Sequence, residues 1–218
     1  MDKLMRGRIA IALFLFIMAG CAYEAEPVAE IVPGPHPSPL PVRRRATQRH
    51  KEIPPPKVKV PPEWVAPSRI EKKWSAIIIH HSATPNGNAA IFDRWHREGY
   101  NWDGVGYDFV IGNGTDSGDG QVEVTFRWRE QRTGAHCKTP ENWANEEGVG
   151  ICLVGDFNYT SPTAGQMQSL VKLVGFLRRR YGISESRIYG HKDTPGARVT
   201  DCPGNNFPMR RLKSMLGG

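Results

Sequence analysis

Residues 74–80 read WSAIIIH. Three consecutive isoleucines behind a tryptophan and an alanine make a short, β-branched apolar run, the pattern of a strand covered on both faces. Outward from it, GVGICLV at 148–154 repeats the pattern. YDFVI at 107–111, residues 122–126 and residues 187–190 are shorter strand candidates, separated by turn chemistry such as Asn113-Gly114 and the Asp116–Gly120 cluster.

Helical patterns fall between the strands. Residues 88–99 carry Ile91 and Trp95 at helical spacing, with Gly99 as a natural C-cap. Residues 163–181 give the clearest helix, with Met167, Leu170, Val171, Val174, Leu177 and Tyr181 on one face. Its start has two candidates: Ser161 as N-cap with Pro162 at the first helical position, or Thr163 with Gln166 as a capping box. Arg178, Arg179 and Arg180 suit the negative end of the helix dipole, and Gly182 ends the helix. Residues 206–216 make a last helix. Strands alternating with helices imply an α/β domain over residues 68–218, with site residues expected at the carboxyl ends of strands.

Upstream, Lys3, Arg6 and Arg8 precede an almost unbroken apolar run at 9–19. The run is too short to span a bilayer comfortably and reads as a secretory signal peptide over residues 1–20. Met18-Ala19-Gly20-Cys21 resembles the lipobox of bacterial lipoproteins. That resemblance implies that Cys21 is lipidated and becomes the mature N-terminus, each buried methylene contributing roughly 0.8 kcal/mol to anchoring. An ordinary signal peptide cut nearby is the alternative. Ala22 rather than Asp after the cysteine implies a cell-envelope address, at the periplasmic face of the outer membrane in a cell that has one. Residues 21–67 then read as a basic, proline-rich tether, too poor in large apolar residues to pack; it would reach on the order of 100 Å at about 3.1 Å per residue.

Hydrophobic residues make up 39% of the 218, enough for a core and too few for an integral membrane protein. The net charge of +7 favours an anionic partner. The basic residues form no stripe interleaved with aromatics, which argues against nucleic acid.

The chemistry gathers at strand ends. His80 and His81 end the first strand, His191 ends the strand at Gly190, and Cys202 follows in TDCPG. Two imidazoles and a thiolate form a three-ligand zinc set that leaves one position for water. Zinc lowers the pKa of such a water to about 7 and polarises a carbonyl oxygen. Spacing alone leaves the alternatives level: a strand-end histidine with satisfied hydrogen bonds, and a cysteine serving as a small buried hydrophobe. Alternation along the strand turns His81 away from His80. Cys137 and Cys152 read as thiols or packing residues, and His96 as packing.

Five strings tip the balance: IIIHHSATP, RWHREGYNWDGVGYDFVI, RTGAH, GVGICLVGDF and YGHKDTPGARVTDCPG, in that order. Together they resemble the type 2 N-acetylmuramoyl-L-alanine amidases, which include phage amidase lysozymes and animal peptidoglycan recognition proteins. The resemblance covers residues 70–216. It implies a central mixed β-sheet flanked by helices and one zinc ion per chain, held by His80, His191 and Cys202. It implies Tyr107 beside the zinc water and Thr200 as a donor to the oxyanion of the tetrahedral intermediate. His136 and Trp102 are substrate-contact candidates, with structural hydrogen bonding the alternative for His136. Asp193 is a candidate to orient His191, or else to cap a turn. One departure is Glu147-Gly148, where the phage enzymes carry Asn-Ser ahead of the strand.

The implied reaction is hydrolysis of the amide between N-acetylmuramic acid and L-alanine in peptidoglycan, by a monomer. A catalytically idle wall-binding tether and a zinc peptidase acting within the stem peptide are the competing readings. Recognition proteins that only bind often carry Ser at the position of Cys202, so the thiolate favours an enzyme.

Overall fold

A computed structural model describes residues 59–217. The segment expected to be a signal peptide, Cys21 and the expected tether up to residue 58 lie outside the described residues. Five strands form one mixed sheet in the order β3–β2–β4–β1–β5. They are β1 (Ala76–His81), β2 (Phe109–Ile111), β3 (Val122–Val124), β4 (Gly148–Leu153) and β5 (Ile188–Gly190). β1 runs parallel to β4 and β5, β4 parallel to β2, and β3 antiparallel to β2. Every residue of β1 and β4 is buried, which is why both strands are apolar at consecutive positions rather than alternating.

Five helices cover the sheet: α1 (Ala89–Tyr100), α2 (Phe126–Arg129), α3 (Trp143–Glu147), α4 (Ala164–Tyr181) and α5 (Met209–Leu216). Ile77, Ile79, Ile151 and Leu153 pack with Leu170, Leu173 and Leu177 of α4 and Leu212 of α5. On the opposite face Val110 and Cys152 meet Phe92 of α1, while Ala76 and Ile78 meet Ala144 of α3. The two-residue period of a strand therefore puts His80 on the face of Ile78 and sends His81 to the α4 side. His81 accepts there from the Phe157 N–H at 3.0 Å and anchors the loop after β4.

The start of α4 takes the second of its two candidates. The Thr163 hydroxyl accepts from the Gln166 N–H, and the Gln166 side chain accepts from the Thr163 N–H. The Gln166 amide also donates to the Ile111 and Val154 carbonyls, which ties the helix start to the strand ends.

Several boundaries move. Gly99 lies inside α1, and Asn101 takes the left-handed cap at φ 53°, a conformation asparagine tolerates. The strand read over 122–126 stops at Val124, because the Thr125 hydroxyl accepts from the Arg127 N–H and starts α2. The last helix begins at Met209 rather than residue 206. The folded domain begins ahead of residue 68: Pro62–Trp64 form a 3-10 turn, and Trp64 and Ala66 are buried in the core. The indole of Trp128 donates to the Trp64 carbonyl at 3.1 Å. The segment read as the end of a tether is thus part of the core. Among the described residues no helix is long and apolar enough to cross a membrane.

Candidate metal centre

β1 delivers His80 to the carboxyl end of the sheet, where β4 pairs it with Cys152. β5, on the other side of β1, ends at Gly190, and His191 opens the 3-10 turn His191–Asp193 directly beyond it. Cys202 arrives on the next loop. Its N–H donates to the Thr200 hydroxyl at 3.2 Å, and its carbonyl accepts from the Lys192 N–H at 2.7 Å. The His81 N–H points at its sulfur from 3.4 Å. These backbone ties bring the thiol back to the histidines across a long stretch of chain.

The donor atoms of His80, His191 and Cys202 all lie within 4.8 Å of one another. His80 Nδ1 stands 3.5 Å from Cys202 Sγ. Neighbouring ligands on a tetrahedral zinc with ordinary bond lengths are about 3.5 Å apart, so this pair already spans one tetrahedral edge. The set fits zinc by donor type as well, two imidazoles and one sulfur.

Burial controls the charges. Desolvation pushes His80 well below the ordinary histidine range, reinforced by His136, His191 and His81. Desolvation also lowers His191. Both rings are thus neutral at physiological pH, with lone pairs available to a metal. Burial pushes the Cys202 thiol up to about 12, against a partial offset from the His81 N–H. A metal ion entering the site must therefore displace that proton.

The ring of Tyr107 lies 5.2 Å from that of His80. Burial, with Cys152 and Cys202 beside it, raises its phenol well above the ordinary range, so it stays protonated. Thr200 uses its oxygen to accept from Cys202, which leaves its own O–H free to donate. His136 is buried, with Nδ1 3.1 Å from His80 Nε2 and Nε2 3.2 Å from the Gly148 carbonyl. Sequence reading makes it a substrate-contact candidate, yet both ring nitrogens are engaged inside the protein. Trp102 is 41% exposed, and its ring lies 4.9 Å from that of His96. Asp193 is exposed and forms no hydrogen bond to the His191 ring among the described residues. Trp143 donates to the Pro195 carbonyl and packs near Tyr189, a structural use.

A groove of about 710 Å³ runs from Tyr107 along α1, lined by Phe92, Trp95, His96 and Tyr100. His96 is more than packing: Nδ1 accepts from the Gly106 N–H, and the ring stands between Trp102 and Tyr107. A larger groove of about 920 Å³, bordered by Asp93, Glu123 and Arg132, contains none of the three metal candidates. Asn145 is a further residue of the site: its side chain accepts from the His136 and Cys137 N–H groups and holds that loop. Only its place three residues before Gly148 marks it in the sequence.

The chain also resembles known proteins in sequence and fold. The family model described as N-acetylmuramoyl-L-alanine amidase matches residues 71–205. Peptidoglycan-recognition protein SC2 of Drosophila melanogaster is 31% identical over 145 residues, 61% of this chain and 70% of that protein. Among solved structures, the N-acetylmuramoyl-L-alanine amidase LysC from Clostridium intestinale URNW is 32% identical with a TM-score of 0.56, covering 66% of this chain and 86% of that one. Peptidoglycan recognition protein-LE in complex with tracheal cytotoxin shares the fold, at 21% identity and a TM-score of 0.51 over 66% of this chain and 82% of that one. Five strands in this order, a His-His-Cys cluster at their carboxyl ends and a family match across most of the folded residues place the chain in the N-acetylmuramoyl-L-alanine amidase family.

Proposed function

We propose that this chain is a zinc-dependent amidase that hydrolyses the bond between the lactyl carbonyl of N-acetylmuramic acid and L-alanine in peptidoglycan. The observation that carries the reading is Cys202 closing the ligand set, its sulfur 3.5 Å from His80 Nδ1. Zinc held by His80, His191 and Cys202 supplies a Lewis acid for the carbonyl and an acidified water. The protein's own contribution is position and polarity. Tyr107, kept a neutral phenol by burial, orients the attacking water. The Thr200 O–H, aimed by the bond its oxygen accepts from Cys202, donates to the oxygen on which charge develops. The aromatic groove beside Tyr107 receives the muropeptide. The complex of peptidoglycan recognition protein-LE with tracheal cytotoxin, a monomeric diaminopimelic acid-type peptidoglycan, supports this substrate class.

The reading extends to the address. A signal peptide over residues 1–20 and lipidation of Cys21 would hold a monomeric enzyme at the envelope, facing its polymer, and this part rests on the sequence alone.

Mass spectrometry of a peptidoglycan digest tests the function. Zinc-loaded protein should release stem peptides with a free L-alanine amine, and a chelator should stop it. Cleavage within the stem would make it a peptidase. Zinc bound without any product would make it a wall-binding module.

A further inference from the structure

His136 is the residue that the proposed reaction leaves without a task. It is buried beside the metal cluster, in T-shaped contact with the His80 ring at 5.0 Å. Two glycines make room for it. A Cβ on Gly150 would lie 2.4 Å from His136 Cδ2, and one on Gly134 would lie 2.6 Å from the same atom. Neither glycine has a positive φ, so what both positions need is clearance for this ring rather than backbone freedom. The Asn145 side-chain oxygen accepts from the His136 N–H and fixes that stretch of backbone. A surface substrate contact needs none of this enclosure.

The hydrogen-bond pattern admits one assignment. The Gly148 carbonyl can only accept, so the His136 nitrogen facing it, Nε2, carries the proton. A neutral ring then has a bare Nδ1, which accepts from His80 Nε2–H at 3.1 Å. With Nε2 protonated, His80 presents a bare Nδ1, and that is the atom facing Cys202 Sγ. The opposite assignment would set the lone pair of His136 Nε2 against the carbonyl oxygen.

We propose that His136 is a positioning residue. A relay from the Gly148 carbonyl through His136 to His80 fixes the tautomer and rotation of the His80 ring, so that its Nδ1 lone pair meets the metal. This rests on the metal-site reading above, but not on catalysis. Partners of this kind typically change metal affinity by about 10–100-fold when removed. The relay also removes an alternative, since a freely rotating His80 would offer a proton to the cluster in part of its population.

The test uses the full chain stripped of zinc. Zinc affinity is measured by competition with a chromogenic chelator for wild type, His136→Leu and His136→Asn. Leucine fills the space without a hydrogen bond; the asparagine Oδ1 falls where His136 Nδ1 stood and restores the acceptor. The expected result is a loss of about 10–100-fold for His136→Leu and recovery of most of it in His136→Asn. Nitrogen-15 spectra of the zinc-free wild type should show His80 protonated at Nε2 and bare at Nδ1. That second readout needs no variant to fold. The relay is overturned by unchanged zinc affinity in His136→Leu, including the case in which only KM for peptidoglycan rises, or by wild-type His80 protonated at Nδ1. A chain that binds zinc as expected but cuts nothing would remove the proposed function and leave the relay standing.

Discussion

Asp108 sits immediately before β2, fully buried. One carboxylate oxygen accepts from the Gly150 N–H at 2.8 Å, and the other, Oδ1, has no partner among the described residues. Burial lifts its pKa from 3.8 to about 7, against partial offsets from the Gly150 N–H, Lys72 and Arg127. The difference between 3.8 and about 7 corresponds to about 4 kcal/mol. The folded chain holds this proton more tightly than the unfolded chain does. The resulting stabilisation is therefore fully present below about pH 4 and is lost as the pH rises through about 7. Asp108→Asn keeps an acceptor for Gly150 and cannot ionise. Its stability relative to wild type should rise by up to about 4 kcal/mol between about pH 4 and pH 8. Taking the difference between the two pH values cancels the cost of the orphaned polar atom, which the amide and the protonated acid share. Urea unfolding across that range, with chelator present so that metal linkage drops out, measures it. Parallel stability curves for the two proteins, or a divergence of opposite sign, would refute the reasoning.

Other outcomes follow from the same structure. Tyr107→Phe should lower kcat by about 10²–10⁴-fold with zinc content unchanged; loss of zinc would move Tyr107 from water orientation to metal support. Zinc binding expels the Cys202 proton, held at about 12, so apparent zinc affinity should fall about tenfold for each unit the pH drops near neutrality, and a flat profile would show that sulfur is not a ligand. Trp64→Ala should cost about 3–5 kcal/mol in urea unfolding, the loss expected of a core aromatic, whereas a tether residue would cost nothing.

Much of this arrangement was legible in the chain. WSAIIIH and GVGICLV announce β1 and β4 because burial on both faces leaves consecutive apolar residues, Ala76 to Ile79 and Val149 to Val154, where a half-exposed strand would alternate. The capping box at Thr163 and the glycine at 182 bracket α4 for local reasons that sequence shows directly. The candidate ligands are legible as types, two histidines at or just past strand ends and a cysteine in a later loop, although spacing alone does not join them. What escaped is non-local or short. α2 and α3 span four and five residues, too few for helical periodicity to register. Trp64 lies in a proline-rich segment whose composition masks a core residue; its packing near Phe176 and the bond from Trp128 to its carbonyl reveal it. His136 reaches His80 across 56 positions, so its partner is set by the sheet and not by its neighbours. Asp108 interrupts an apolar strand pattern, a local conflict that the sequence displays without saying what the carboxylate faces.

X-ray absorption at the zinc edge of the loaded chain tests the metal site most directly. It should show one sulfur at about 2.3 Å and three lighter neighbours at about 2.0–2.1 Å, two from imidazole and one exchangeable. A first shell without sulfur, or one closed by a fourth protein ligand, would contradict the open His80–His191–Cys202 site on which the chemistry depends.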